Sequence, residues 1–467
     1  MEYHVIHTPD QTPQKSHLIA RADTWLPACP SYIDDMRQQA RQGKVADCSF
    51  GCAPFSRITL LPDELWQDNL TDGLQNALRP LLATPASTHV MIDCTTIHRI
   101  VMAKLIRYIF NLEHTLAGSG SRASREVSAH VTHLTVLCPV SQLERVSSLL
   151  HHEYAIVRGM IASRSLADMP SEQCTPQFIV EEAQRQCDIF PALRCEVLDE
   201  KDIVEQGLGA LYAVGKGASH PPRLLAIHYD GKNDAPVRCY VGKGITFDTG
   251  GLWLKAGPDM YTMKYDMSGA SSVLGLMLTI AELALPVRVM GVLALAENAI
   301  GPDAMQPGCV ARACNGMTVE INNTDAEGRL VLLDAIAWAS QRHPQARYLI
   351  DMATLTGAVV KALGYELSGL MTRDESLRTS LTEAGIQSGD EVWSLPLDAR
   401  LEKQIVSVIA DVCNTPPNNA AISSSAAWLL HHFCPPAIPW AHLDISGSAL
   451  WRENGRSTAS GRPVPLL

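Results

Sequence analysis

Residues 237–248 (VRCYVGKGITFD) and 287–298 (VRVMGVLALAEN) decide the predicted fold. Each run is apolar over most of its length and ends in polar residues, which is typical of a strand buried on both faces. Residues 267–285 lie between them and are predicted to form a buried helix. Buried strands separated by helices indicate a central, mainly parallel sheet with helices on both faces, so we predict an α/β fold.

The same alternation continues outward from these two strands. Further strands are predicted at 223–231, 347–353 and 440–447, and further helices at 327–341 and 356–363. In open sheets of this kind, ligands bind at the carboxyl ends of the strands. We therefore expect the functional residues to lie there.

The chain divides into two parts of different character. Residues 1–141 alternate short apolar runs with polar loops and are predicted to form a small N-terminal α/β domain. Residues 142–166 carry apolar positions at helical spacing and are predicted to form a connecting helix. The turn-forming segment that follows begins a larger C-terminal α/β/α domain, residues 167–467.

Composition excludes several classes of protein. The formal charge of −11 argues against nucleic acid as a partner of the chain as a whole. The first residues lack the apolar core of a signal peptide, and the most apolar stretch, 272–299, is interrupted by Glu282, Pro286 and Arg288. The 13 cysteines include no C-x-x-C pair and are expected to be reduced thiols. We expect a cytoplasmic protein with no membrane partner.

Charged residues concentrate in three segments at the ends of core elements. These are Lys243, Asp248 and Lys255 in VGKGITFDTGGLWLK (241–255), Asp266 in YTMKYDMSGA (261–270), and Asp325, Glu327 and Arg329 in NNTDAEGRL (322–330). Buried carboxylates repel one another and are costly unless protons or cations neutralise them. Two divalent ions about 3.5–4 Å apart are the usual solution in hydrolytic sites.

Each residue also has an ordinary structural interpretation. Asp266 could cap a helix, the acids at 325 and 327 could begin one, and Asp248 could belong to a turn. Either lysine could be a solvated surface charge, and Arg329 could pair with a carboxylate. A lysine can also ligate a metal as the neutral amine, or remain charged and stabilise an oxyanion.

Three motifs resemble those of the leucyl aminopeptidase family, the M17 metallopeptidases. NTDAEGRL at 323–330 is complete and is the most specific of them. VGKGITFD at 241–248 is also complete, and MATLTGA at 352–358 matches a third block. The resemblance extends from about residue 167 to residues 462–463. The first 140 residues match only in layout.

The resemblance implies an activity and a set of roles. The implied activity is that of a two-metal aminopeptidase acting on peptides with unblocked N-termini and apolar or broadly varied side chains. The implied metal ligands are Lys243, Asp248, Asp266, Asp325 (through its backbone carbonyl) and Glu327, with Asp248 and Glu327 bridging two ions, Zn²⁺ or Mn²⁺. The implied catalytic residues are Lys255 and Arg329, the latter holding a bicarbonate ion. The implied substrate contacts are Met263, Thr354, Leu355 and Gly357, and the implied assembly is a homohexamer.

The chain departs from the family pattern at a few positions. Thr249 replaces the usual serine, and Trp253 and Leu254 stand where smaller or β-branched residues are common. Serines replace a glycine in AAISSSAAWLLHH (420–432). Alternative functions are a specialised dipeptidase such as a cysteinylglycine hydrolase, a DNA-binding or regulatory protein of the same family, and a pseudoenzyme.

Overall fold

The structure, a computed structural model, describes most of the chain. The described residues are 2–6, 16–21, 32–42, 44, 46–49, 55–61, 89–94, 99–111 and 133–467 except 233, 419, 454 and 455. They divide into two compact units, Met1–Val157 and Arg158–Leu467. The domain limits predicted from the sequence, at 141/142 and 166/167, stay a prediction.

The first unit is built on a mainly parallel sheet. Within the described residues its strands are β1 (Glu2–Ile6), β2 (Ser16–Arg21), β3 (Ala46–Ser49), β4 (Phe55–Leu61), β5 (His89–Asp93) and β6 (His133–Leu137), and its helices are α1 (Tyr32–Arg41) and α2 (Arg99–Asn111). The strand order is β1-β6-β5-β2-β4-β3, with only the β3–β4 pair antiparallel. The prediction of an N-terminal α/β domain is confirmed.

A long helix, α3 (Leu143–Asp168), occupies the place predicted for a connecting helix. The division between the two units falls within it, after Val157. Its last turns belong to the second unit, where Arg164 Nε donates to the carbonyl of Ala459 at 2.8 Å. The hydroxyls of Ser163 and Ser271 lie 2.9 Å apart.

The second unit contains the large sheet. The strands of this unit are β7 (Leu193–Leu198), β8 (Arg223–Asp230), β9 (Arg238–Asp248), β10 (Arg288–Asn298), β11 (Cys309–Arg312), β12 (Thr318–Ile321), β13 (Tyr348–Ala353), β14 (Ser368–Thr372), β15 (Val392–Ser394), β16 (Val412–Cys413), β17 (Trp440–Asp444), β18 (Leu450–Glu453) and β19 (Arg456–Ala459). The large sheet has the order β15-β14-β17-β13-β9-β10-β8-β7. Its centre, β17 to β10, is parallel, whereas β8, β7 and β14 pair antiparallel with their inner neighbours.

Helices cover both faces of this sheet, as predicted. They are α4 (Pro176–Cys187), α5 (Glu200–Glu205), α6 (Gly209–Gly215), α7 (Gly257–Met260), α8 (Ser268–Glu282), α9 (Glu327–Arg342), α10 (Gly357–Leu363), α11 (Glu375–Ser388) and α12 (Ile422–His431), with 3-10 turns at Val140–Gln142, Met263–Tyr265 and Ala399–Gln404. Val241 of β9 packs into the core that includes α9, and its neighbour Tyr240 packs into the core that includes α8. Burial on both faces explains why β9 and β10 are apolar without alternation.

The parallel centre of the sheet fixes the position of the candidate site. β9 and β10 end side by side, with Asp248 opposite Asn298, and β13 and β17 end with Ala353 opposite Asp444. The segments after these strands therefore meet at one edge. Among the residues that the structure describes, no helix has the length and apolar character needed to cross a bilayer.

Candidate metal centre

The predicted ligands come from three segments that meet at the carboxyl edge of the sheet. Lys243 and Asp248 lie on β9, between β13 and β10. Asp266 ends the 3-10 turn that precedes α8. Asp325 comes two residues before Glu327, the first residue of α9.

Distances join these residues into a single cluster. Carboxylate oxygens of Asp248, Asp325 and Glu327 all lie within 4.8 Å of one another. Lys243 Nζ lies 2.8 Å from Asp266 Oδ1 and 2.9 Å from Glu327 Oε1. Asp266 therefore belongs to the same cluster as the other three carboxylates.

Burial and mutual repulsion shift the protonation of the carboxylates. Burial, reinforced by the charge of Glu327, raises the pKa of Asp248 to about 6. Burial also raises the pKa of Asp266 well above its usual value. Burial also opposes ionisation of Glu327, but the positive charges of Lys243 and Lys255 have the larger effect and lower the pKa of Glu327. Since four carboxylates face two lysines, full ionisation of the cluster would leave excess negative charge.

Three buried carboxylate oxygens in the cluster form no hydrogen bond with a described residue. They are Asp266 Oδ2, Glu327 Oε2 and Asp325 Oδ1, the last of which lies 2.6 Å from the charged Nζ of Lys255. Leaving a buried acceptor without a partner costs about 1–3 kcal/mol, and more when it is charged. Divalent cations satisfy such oxygens directly, so the four carboxylates and one amine fit a two-metal site.

Lys243 is held with its amine in the middle of the cluster. A Cβ on Gly328 would lie 2.7 Å from Lys243 Nζ and 2.6 Å from Lys243 Cε, so glycine is required where the lysine passes α9. Nζ also donates to the carbonyl of Thr354 at 2.9 Å. Burial lowers the pKa of Lys243, but the carboxylates of Asp266 and Glu327 raise it by more. The lysine is not a solvated surface charge.

Lys255 reaches the other side of the cluster from a tight turn. Its Nζ lies 2.8 Å from Asp248 Oδ2 and 2.6 Å from Asp325 Oδ1. Burial lowers the pKa of Lys255, but Asp248 and other carboxylates raise it above its usual value. The turn is closed by a hydrogen bond from Lys255 N to Thr249 O at 2.9 Å, and Gly250 has φ +83° there. Lys255 is therefore a fixed cation beside the cluster.

Arg329 is a buried guanidinium without an acidic partner among the described residues. Its Nη1 donates to the carbonyl of Asn414 at 2.6 Å, while its Nε has no acceptor. Burial lowers the pKa of Arg329 to about 10. Arg329 lies in the first turn of α9, within the helix predicted at 327–341. A buried, partly unsatisfied guanidinium is suited to binding an anion.

The predicted substrate-binding residues differ in how closely they approach the cluster. Thr354 contacts it directly, since its hydroxyl donates to Asp266 Oδ1 at 2.8 Å. Leu355 follows Thr354, and its backbone N–H donates to Asp444 Oδ1 at 3.3 Å. Gly357 begins α10, and a Cβ there would meet open space. Met263 is half-buried in the 3-10 turn that ends at Asp266.

Two polar residues of the site were missed by the sequence analysis. Asn298 Nδ2 donates to Asp248 Oδ1 at 2.7 Å and to the carbonyl of Thr324 at 3.0 Å. Asp444 is fully buried and accepts from the hydroxyl of Thr356 at 2.6 Å as well as from Leu355. Both end a central strand, so the rule that pointed to Asp248 also applied to them.

The ordinary interpretation fails for Asp266 and is incomplete for Asp248 and Glu327. Asp266 does not cap α8, because the capping position is Met267 and no side chain bonds the helix end. Asp248 does accept a turn hydrogen bond, from Gly250 N at 2.8 Å, but its other oxygen faces Lys255. Glu327 does lie in the first turn of a helix, and its side chain faces Lys243.

Sequence comparison gives a consistent set of relatives. The model of the cytosol aminopeptidase family, catalytic domain, matches residues 161–467. A probable cytosol aminopeptidase of Legionella pneumophila (strain Corby) is 47% identical over 314 residues, which are 67% of this chain and 64% of the relative. The cytosol aminopeptidase of Pseudomonas aeruginosa (strain PAO1) is 44% identical over 336 residues, 72% of this chain and 67% of the relative. The match thus spans less than two thirds of the Legionella protein.

A solved structure resembles the chain over nearly its whole length. It is the bottromycin maturation enzyme BotP in complex with Mn, with a TM-score of 0.83 and 27% sequence identity. The similarity covers 97% of each chain.

Proposed function

The chain belongs to the cytosol aminopeptidase family, and on that premise we propose that it is a two-metal aminopeptidase that removes the N-terminal residue from unblocked peptides. One observation carries the proposal. Carboxylate oxygens of Asp248, Asp325 and Glu327, from two separate segments, lie within 4.8 Å of one another, and Lys243 links Asp266, from a third segment, to Glu327. Buried oxygens of Asp266 and Glu327 have no donor among the described residues.

The proposed ligands are Lys243, Asp248, Asp266, Asp325 and Glu327. Two divalent ions held there would polarise the scissile carbonyl and lower the pKa of a water molecule. Their charge would also favour the neutral form of the Lys243 amine, which is the form that can ligate. Zn²⁺ and Mn²⁺ both suit this donor set.

Lys255 and Arg329 are the proposed catalytic residues. Lys255 is fixed and charged beside the cluster, so it can stabilise the negative charge that develops on the carbonyl oxygen. Arg329 would hold an anion such as bicarbonate, placed to move a proton toward the leaving amine. The Arg329 Nε that lacks an acceptor supports this assignment.

The position of the substrate follows from the proposed ions. A free α-amine would bind to one of them, so that only the first peptide bond lies beside Lys255. Thr354, Leu355, Gly357 and Met263 are the proposed contacts for the peptide. The first side chain is expected to be apolar or broadly varied. By family resemblance we propose that the chain assembles as a homohexamer. We also propose a cytoplasmic location, which the names of the cytosol aminopeptidase relatives support.

The requirement for a free amine tests this proposal. Leu-Ala-Ala should be hydrolysed, and N-acetyl-Leu-Ala-Ala should be inert, when product amines are followed by chromatography. Hydrolysis of the acetylated peptide at a comparable rate would rule out an aminopeptidase. A panel of aminoacyl-amides and dipeptides, including cysteinylglycine, would distinguish a general aminopeptidase from a specialised dipeptidase.

A further inference from the structure

Four large apolar side chains are exposed in the segment that leads from Asp248 to Asp266. They form what we call the apolar rim, and their exposed fractions are Leu252 47%, Trp253 55%, Leu254 57% and Tyr261 86%. Single exposed apolar residues are common, but here Leu252, Trp253 and Leu254 are exposed in succession, and grouped apolar exposure is typical of an interaction surface.

The backbone that carries the rim is fixed by hydrogen bonds. Trp253 N donates to Thr324 Oγ1 at 2.8 Å and to Gly250 O at 3.2 Å. Thr324 Oγ1 in turn donates to Gly250 O at 2.7 Å. The turn therefore holds Trp253 in place, and the exposure of its indole does not come from a loosely held backbone.

Trp253 of the rim is connected to the metal centre in two ways, along the chain to Lys255 and through a hydrogen bond to Thr324. Lys255, two residues later, contacts Asp248 and Asp325 with its Nζ. Thr324, which bonds the Trp253 backbone, directly precedes Asp325. The rim is thus the solvent-exposed continuation of the cluster.

We propose that the apolar rim binds apolar side chains of the peptide on the carboxyl side of the scissile bond, with Trp253 as the principal contact. The inference rests on the proposed function. The substrate amine must enter among the buried carboxylates, and Lys255, with a side chain only 14% exposed, marks the scissile carbonyl. The rest of the peptide continues from Lys255 toward solvent, and the exposed Trp253 and Leu254 directly precede Lys255 in the chain.

The chemistry of the rim selects the class of peptide. An indole and two leucine side chains offer apolar and aromatic surface, which favours a bulky apolar residue after the first. A glycine or alanine there would bury little of this surface. The preferred substrates are therefore peptides with a large apolar residue next to the N-terminal one.

The test compares Trp253→Ser with Trp393→Ser, a matched control. Trp393 is 60% exposed and lies on the edge strand β15, separated from β9 by β14, β17 and β13. The substrates are Leu-Phe-Ala, Leu-Ala-Ala, Leu-amide and Gly-amide with the metal-loaded protein. We expect Trp253→Ser to reduce the kcat/KM ratio of Leu-Phe-Ala to Leu-Ala-Ala about tenfold, and Trp393→Ser to leave it unchanged.

Several results would overturn the inference. One is an unchanged Phe-to-Ala ratio in Trp253→Ser while all peptides are still hydrolysed, which would leave the proposed function intact. Another is altered discrimination between Leu-amide and Gly-amide instead, which would assign Trp253 to the first side chain. A smaller assembly by light scattering in Trp253→Ser, with the ratio unchanged, would make the rim a contact between copies. If the wild type hydrolyses none of the peptides, the proposed function itself fails.

Discussion

The two lysines of the metal centre should respond differently to removal. Lys243 contacts Asp266, Glu327 and the carbonyl of Thr354, all within 2.9 Å, and is proposed as a ligand. Lys255 contacts Asp248 and Asp325 from the partly exposed side and is proposed to act on the transition state. Lys243→Ala should therefore lower the metal content, whereas Lys255→Ala should retain both ions.

The magnitudes follow from burial and chemistry. Removing Lys243 leaves Asp266 and Glu327 without their buried cation, which should cost the metal-free protein about 3–5 kcal/mol in free energy of unfolding. Removing Lys255 should lower kcat about 10²–10³-fold with little change in KM, by analogy with loss of an oxyanion donor.

The assay measures bound metal by elemental analysis, kcat and KM on Leu-amide, and unfolding in denaturant. Lys216→Ala is the matched control, because residues 214–217 repeat the sequence VGKG of residues 241–244, but Lys216 is exposed. It should change none of these quantities. The roles are reversed if Lys255→Ala loses an ion while Lys243→Ala keeps both. If both variants keep full metal and activity, the proposed mechanism is refuted.

Three further predictions test the surroundings of the cluster. Arg329→Ala should lower kcat about 10²-fold and abolish any stimulation of activity by bicarbonate added to CO₂-depleted buffer, because the guanidinium that holds the anion is removed. An undiminished response to bicarbonate would contradict this role. Asn298→Ala should weaken metal binding about 10–100-fold in calorimetric titrations of metal-free protein, because Asn298 orients Asp248. An unaltered metal affinity would show that Asp248 needs no such support. Burial lowers the pKa of His442, but Asp351, 2.5 Å away, raises it by more, so the pKa is higher in the folded protein than in the unfolded chain. The ion pair therefore adds stability that is fully present below pH 6.5 and is lost as the pH rises through the folded-state pKa. The deficit in unfolding free energy of His442→Gln should accordingly be largest at low pH, and a deficit that grows with pH would reverse the assignment.

The central strands were predictable because their burial leaves a clear pattern. β9 and β10 are covered by helices on both faces, so their sequences are mainly apolar, without alternation, as far as Asp248 and Asn298. Residues 267–285 were predicted as one helix, and α8 occupies Ser268–Glu282. These features depend on local sequence and on burial alone.

The supporting residues of the site depend on contacts that local sequence does not contain. Asn298 matters because β10 pairs with β9 in a register that places it opposite Asp248. Asp444 matters because β17 ends beside β13, next to the loop that carries Leu355 and Thr356. A single sequence also leaves Asp266 equally suited to capping a helix, until distances place it against Lys243.

The most direct test of the central claim is a metal titration of the chelated protein. Mn²⁺ or Zn²⁺ is added to metal-free chain while bound metal and Leu-amide hydrolysis are measured in the same samples. If the four clustered carboxylates hold two ions, there should be no activity without metal and full activity at two ions per chain. Full hydrolysis by protein that elemental analysis shows to be metal-free would contradict the account.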